Sequence, residues 1–241
     1  MANLPITNKT KIPAPQPLPQ RRWWRTWWGI SLIIFGVLIV LFIVSVSWYA
    51  LSVLGQRAQD TTEQVTIVDM NKLLTTDDPG FGSAKAKVEI VEFVDFQCPF
   101  SGEAFPTVRK MMSEYGDRIY FVYRDYPGTD IHPDAERAAE AAACANEQDK
   151  FWEFHDRLFQ NQAKLAAVDL EYYALQSGLD TDRFKKCLES GKYAADIEAD
   201  ITAGLEIGVT GTPTFVINGY VIPGVIPEDT FRQIIDRLLS Q

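Results

Sequence analysis

Phe93-Val94-Asp95-Phe96-Gln97-Cys98-Pro99-Phe100-Ser101 carries the chain from one kind of structure into another through a single cysteine. Upstream, Val88 to Val94 is an apolar, β-rich run, and downstream, Pro99 to Tyr115 has the spacing of a helix that starts just after Cys98. A cysteine at such a junction sits where unpaired backbone N–H groups and the helix dipole favour negative charge, which favours the nucleophilic thiolate. The alternative is a buried, inert cysteine. Pro99 at the first helical turn, with polar Gln97 and Ser101 around the sulfur, points instead to an exposed turn and a reactive thiol.

Working outward, Ile119 to Tyr123 reads as a second strand, and 134 to 159 as helical, Ala-rich at first and then amphipathic through Phe151, Phe154, Leu158 and Phe159. Further helices are expected at about 168–176, 180–189 and 192–207. Thr214 to Ile217 and Tyr220 to Ile222 flank Asn218-Gly219, the strongest two-residue hairpin signal in the chain, and a last helix runs from Pro227 to Leu239. The order β, α, β, a block of helices, β, β, α implies an α/β fold: a small mixed sheet with helices packed on it and an all-helical insertion at about 130–205. Residues 55–76 read as a linker, with one short strand at Val65 to Val68, and Asp77 to Gly82 reads as a loop.

The charge is divided. Residues 1–59 hold six of the 23 Lys and Arg and none of the 32 Asp and Glu, so this quarter is +6 and the remainder, with 17 bases against 32 acids, is −15. A surface that acidic repels phosphate backbones, which argues against nucleic-acid binding. Residues 1–28 form a Pro-rich, basic tail that buries no core and is expected to be disordered. Gly29 to Leu54 has no charged residue and spans a bilayer with length to spare, with tryptophans at one end and Trp48-Tyr49 near the other. Five bases precede it and only Arg57 closely follows, which puts the N-terminus in the cytoplasm and the acidic domain outside. A cleavable signal is the alternative, but its apolar region is normally shorter and Ala50-Leu51-Ser52 is a weak cleavage site, which favours a single-pass anchor at 29–54.

Several motifs together resemble the DsbA-like branch of the thioredoxin superfamily. They are Val91-Glu92-Phe93-x-Asp95-Phe96-Gln97-Cys98-Pro99-Phe100, the Ala-rich Ala138 to Ala145, Lys150-Phe151-Trp152-Glu153-Phe154-His155-Asp156, and Gly208-Val209-Thr210-Gly211-Thr212-Pro213-Thr214-Phe215. The match runs in order from about residue 77 to the C-terminus. It implies a thioredoxin fold with an inserted helical domain at 77–241. It also implies that Cys98 is the attacking cysteine of a C-x-x-C motif, and that Pro213 is a cis-proline whose loop lies against it. Thr212 and Pro213, with Pro99 and Phe100, would then receive an extended client chain. Without the resemblance, Thr212-Pro213 reads as an ordinary trans turn before a strand, the commoner form of an X-Pro bond. Glu92 matches the family's buried carboxylate beneath the active site, an aid to proton transfer; read alone, it is equally an outward-facing strand residue.

Ser101 stands where the family has its resolving cysteine, so the motif reads C-P-F-S. Dithiol oxidation needs two sulfurs, whereas Cys98 alone can form a mixed disulfide but not resolve it internally. The Ser101 hydroxyl could still donate a hydrogen bond to the Cys98 sulfur. The expected activity is monothiol exchange, isomerising or reducing disulfides in unfolded or disulfide-containing secreted proteins with an external thiol donor and no cofactor. The alternative is a redox-inactive peptide-binding chaperone or adaptor. Some relatives carry cysteines in contexts matching Cys144 and Cys187, which implies one structural disulfide rather than two buried thiols and leaves Cys98 as the free thiol. His132 and His155 read as packing or capping residues, and no metal is expected.

Overall fold

The computed structural model describes residues 27–60, 67–75 and 78–241, with 53–60 described by backbone alone. The expected tail to residue 26, the first half of the strand at Val65 to Val68, and part of the loop at Asp77 lie outside these residues. The chain divides into two units, 1–63 and 64–241.

The first unit is helix α1, Trp27–Asp60. Its apolar stretch, Trp27–Ser52, has 26 residues. At about 1.5 Å per residue that is roughly 39 Å, more than a hydrocarbon core of about 30 Å. Leu32, Phe35, Leu38, Phe42 and Val46 stand exposed around it, as a lipid-facing helix requires. The helix runs six residues into the stretch read as linker, because Gln56-Arg57-Ala58-Gln59 are all good helix formers.

The second unit is a five-stranded sheet of order β1-β3-β2-β4-β5. Its strands are β1 (Gly80–Gly82), β2 (Val88–Val94), β3 (Ile119–Asp125), β4 (Thr214–Ile217) and β5 (Tyr220–Pro223). β2 and β3 are parallel and every other pair is antiparallel. β2 is central, and its Val, Ile and Phe side chains are buried on both faces, which is why it reads as a near-continuous apolar run. Val88 and Ile90 face a cluster with Ala104, Val108, Met111 and Met112 of α2 (Pro99–Tyr115) and Phe231 and Ile235 of α8 (Glu228–Ser240). Val91 and Phe93 face the other way, toward Met70, Leu73 and Val209. Between β3 and β4 come five helices: α3 (Ala135–Asn146), α4 (Phe151–Gln160), α5 (Ala167–Gln176), α6 (Thr181–Ser190) and α7 (Ala194–Glu206).

This is a thioredoxin-like α/β fold with a helical insertion, as the element order implies. Three details differ from the sequence reading. The loop expected at Asp77 to Gly82 contains β1: three residues too short to show a period, which pair with β3 at Gly80↔Val122 and Gly82↔Tyr120 and set Phe81 edge-on to Trp152. The helical stretch 134–159 is broken into α3 and α4 at 147–150, where Asp149 adopts φ 55. Of the expected strand before β1, the described residues are Ile67 and Val68, which make a single bridge, Ile67 to Tyr220, with the Val68 amide donating to the Gly219 carbonyl at 2.7 Å. Asn218 and Gly219 take φ 45 and 87, the conformation a two-residue hairpin needs. Only glycine fits at 219, since a Cβ there would lie 2.5 Å from the Val68 carbonyl oxygen.

Cys144 of α3 and Cys187 of α6 are disulfide-bonded, with their Cα atoms 5.8 Å apart. The bond lies in the core of the insertion beside Phe154 and Phe184. A buried ion network ties α7 to the sheet: Arg124 of β3 pairs with Asp78 at 3.0 Å and Asp200 at 2.8 Å, and Asp200 accepts the Asp125 amide at 2.9 Å. Burial and the neighbouring Asp78 hold the Asp200 carboxyl above the usual carboxylate range.

Candidate active site

Cys98 ends the turn after β2 and is the N-cap of α2, with Pro99 as the first helical residue. Phe93 of β2 pairs in register with Thr214 of β4, so antiparallel pairing brings the chain just before β4 alongside the chain just after β2. That chain is Thr212-Pro213, joined by a cis peptide bond. Cys98 Sγ lies 3.2 Å from the Thr212 carbonyl oxygen, to which it donates, and Thr214 Oγ1 donates to the Gly211 carbonyl at 2.7 Å from within the same loop. Two segments 114 residues apart thus meet at the sulfur.

The sulfur is more enclosed than an exposed turn implies: Cys98 is 6% exposed, because the Thr212-Pro213 loop covers it. It is the free cysteine of the three. Ser101 is 1% exposed, on the inner side of the first turn of α2. Its hydroxyl makes no hydrogen bond among the described residues, and the bond expected from it to the sulfur is absent. Phe100 is 61% exposed at the mouth of a groove of about 470 Å³, which is also lined by Glu103, Thr212, Pro213, Pro223 and Val225. Pro99 is exposed but does not line the groove.

Glu92 is 4% exposed and, by strand alternation, shares the face of Ile90 and Val94 that α2 covers. The outward-facing alternative is thereby set aside. Burial raises its carboxyl from 4.5 to about 8. In the folded protein this group keeps its proton to a higher pH than in the unfolded chain, so its contribution to stability is full below pH 4.5 and is lost as pH rises toward 8. By pH 7 the loss is about 3 kcal/mol. Glu92→Gln is expected to flatten that slope. Denaturation midpoints between pH 5 and 8 check it, and parallel pH profiles for the variant and the wild type would show that Glu92 ionises normally.

The sequence reading missed the groups that hold the reactive turn. Asp95, 2% exposed, accepts the amides of Gln97 at 2.7 Å and Cys98 at 3.2 Å on one oxygen. Its other oxygen accepts the Gly128 amide at 2.8 Å and lies 2.6 Å from His132 Nδ1. His132 therefore partners a buried carboxylate, which corrects its reading as a packing or capping residue. The side chain of Gln97 exchanges two hydrogen bonds with Asp134, at 2.9 and 3.1 Å. Gln162, just beyond α4, donates to the carbonyls of Phe96 at 2.9 Å and Cys98 at 2.8 Å. The only local signal was a carboxylate three residues before the cysteine. His155 is buried among the rings of Phe96, Phe151 and Phe159, and burial lowers its basicity. Among the described residues no three His, Cys, Asp or Glu are grouped to hold a metal ion.

A family model described as thioredoxin matches residues 74–237, about two thirds of the chain and the whole sheet with its insertion. The chain belongs to the thioredoxin family. Its thioredoxin domain is similar to a solved thioredoxin-like oxidoreductase from Silicibacter pomeroyi, at 26% identity and a TM-score of 0.65 over 72% of this chain and 99% of that one. BdbD from Bacillus subtilis, at 24% identity and a TM-score of 0.61, aligns over 73% of this chain and 98% of its own, which shows the shared fold. Among curated proteins, a Na(+)/H(+) antiporter of Salinispora tropica is 44% identical over 138 residues, 57% of this chain but 21% of the antiporter. One of Herminiimonas arsenicoxydans is 30% identical over 202 residues, 83% of this chain and 32% of that protein. The chain thus spans a fifth to a third of the length of these relatives. Sodium and proton exchange is said of proteins that lie mostly outside the matched segment.

Proposed function

We propose that this protein exchanges disulfides on protein clients through Cys98 alone, as an isomerase or reductase without dithiol oxidase activity. The reading is carried by the Cys98 sulfur at the N-terminus of α2, 3.2 Å from Thr212 at the edge of an apolar groove, with a serine in place of a second sulfur. The Cys98 thiolate attacks one sulfur of a client disulfide, forming a mixed disulfide and releasing the other client sulfur as a thiolate. In isomerisation, a client thiolate attacks the client sulfur of that mixed disulfide, forming a new client disulfide and returning Cys98 as a thiolate. In reduction, an external thiolate attacks the Cys98 sulfur instead and releases the client as a second thiolate, and a second external thiolate then attacks the donor sulfur of the new mixed disulfide, returning Cys98 as a thiolate and leaving the donor as its own disulfide. No cofactor enters either cycle.

The clients are unfolded or disulfide-containing secreted proteins, since scrambled disulfides arise in oxidising compartments. Placement there follows from α1 as a membrane anchor with its N-terminal side cytoplasmic, because basic residues gather before the span. Scrambled disulfide-rich protein refolded with the full-length chain in detergent micelles tests the reading. Cys98→Ala is expected to lower the rate on the order of 100-fold, and a rate that survives the substitution would overturn it. The enclosure of Cys98 favours a second reading, an adaptor that holds clients in the groove without turnover. Client binding unchanged in Cys98→Ala, with no Cys98-dependent isomerisation in the wild type, would select it.

A further inference from the structure

Beneath the reactive turn lies a buried carboxylate that the exchange steps do not consume. The two oxygens of Asp95 divide their partners: one takes the amides of Gln97 and Cys98, and the other takes the Gly128 amide and His132 Nδ1. Gly128 is fitted to this arrangement, since a Cβ there would lie 3.3 Å from Asp95 Oδ2 and 3.5 Å from His132 Nδ1. A carboxylate this deeply buried requires hydrogen bonds and a counter-charge. Tyr123 and Asp125 of β3 both feel the Asp95 charge, and Glu92 of β2 also bears on Tyr123. Asp134, at the start of α3, is tied to Gln97, and His155 of α4 lies edge-on to the neighbouring Phe96. Of these groups, His132 is the one that puts a protonatable nitrogen against the Asp95 carboxylate.

The positive end of α2 favours an anion, and two anions compete for it here: the Asp95 carboxylate and the Cys98 thiolate. Each makes the other less favourable, and a protonated His132 offsets the first. We propose that Asp95, paired with His132, is a positioning residue for Cys98: it fixes the reactive turn through two amides, and the charge of the pair sets how readily the sulfur ionises. This assignment rests on the reading of Cys98 as the exchanging thiol.

The test uses the full-length chain in detergent micelles with its Cys144–Cys187 disulfide intact. It follows the reaction of Cys98 with a small aromatic disulfide, together with thiolate absorbance, across the pH range in which imidazoles titrate. Asp95→Asn keeps an oxygen for the two amides and removes the charge; the rate near pH 6 is expected to rise roughly 3- to 10-fold. His132→Gln keeps a neutral donor and removes the counter-charge. Its rate near pH 6 is expected to fall by a similar factor, with a smaller difference at the alkaline end of the profile. A purely structural role would slow both variants at every pH, in step with lost thermal stability. That pattern, or profiles within about twofold of wild type, overturns the assignment. If Asp95→Asn does not fold, the sign and pH dependence of His132→Gln decide alone. A wild-type chain with no Cys98-dependent reaction overturns the exchange reading as well, which separates the two failures.

Discussion

Ser101→Cys is expected to shorten the lifetime of a mixed disulfide on Cys98 on the order of 100-fold or more, by replacing release through an external thiol with release from within. Ser101 lies three residues after Cys98 in the first turn of α2, a spacing that makes side chains neighbours. Its hydroxyl is enclosed and makes no hydrogen bond among the described residues, so a thiol in its place forfeits none. The new thiolate attacks the Cys98 sulfur, breaks its bond to the client, and leaves the client thiol reduced and a disulfide within the motif. Acid quenching followed by non-reducing mass spectrometry measures both the lifetime and the product. An unchanged lifetime with no internal disulfide would show that the turn keeps the two sulfurs apart and that Ser101 is not the block.

The second large effect concerns the insertion. Cys144 and Cys187 are 43 residues apart in sequence, and a cross-link closing such a loop stabilises by about 4 kcal/mol in the chain-entropy model. The double variant Cys144→Ala/Cys187→Ala is therefore expected to lose about that much in chemical denaturation of the full chain. Exchange at Cys98 is expected to slow as well, because Gln162 and Asp134 reach the reactive turn from the insertion. A loss under about 1 kcal/mol would show instead that packing such as Phe154 against Phe184 holds α3 to α6 with little help from the bond.

What could be read from the chain was what is local. The β2–α2 junction shows a change of period at Cys98, Asn218-Gly219 shows its hairpin in two residues, and the helices of the insertion show apolar stripes. β1 could not be read, because Gly80-Phe81-Gly82 has no period of its own and becomes a strand only by pairing with β3. The partners of the site were hidden for the same reason. Asp95 meets His132 across 37 residues, Gln162 reaches Phe96 across 66, and Arg124 joins Asp200 to Asp78. None of these pairs leaves a spacing or a composition that marks it.

The enclosure of Cys98 is the case where the two levels part. A proline and polar neighbours around the cysteine pointed to an open turn, yet the covering loop arrives from 114 residues away. From its sequence alone this protein has an apolar helix of membrane-spanning length, a thioredoxin fold with a helical insertion, and a motif with a single sulfur, Cys98, followed three residues on by Ser101, because period, hydropathy and motif are properties of neighbouring residues. Only the tertiary structure decides how that sulfur is covered, which carboxylate lies beneath it and which imidazole faces that carboxylate, because burial and charge pairing depend on which distant segments the sheet brings together.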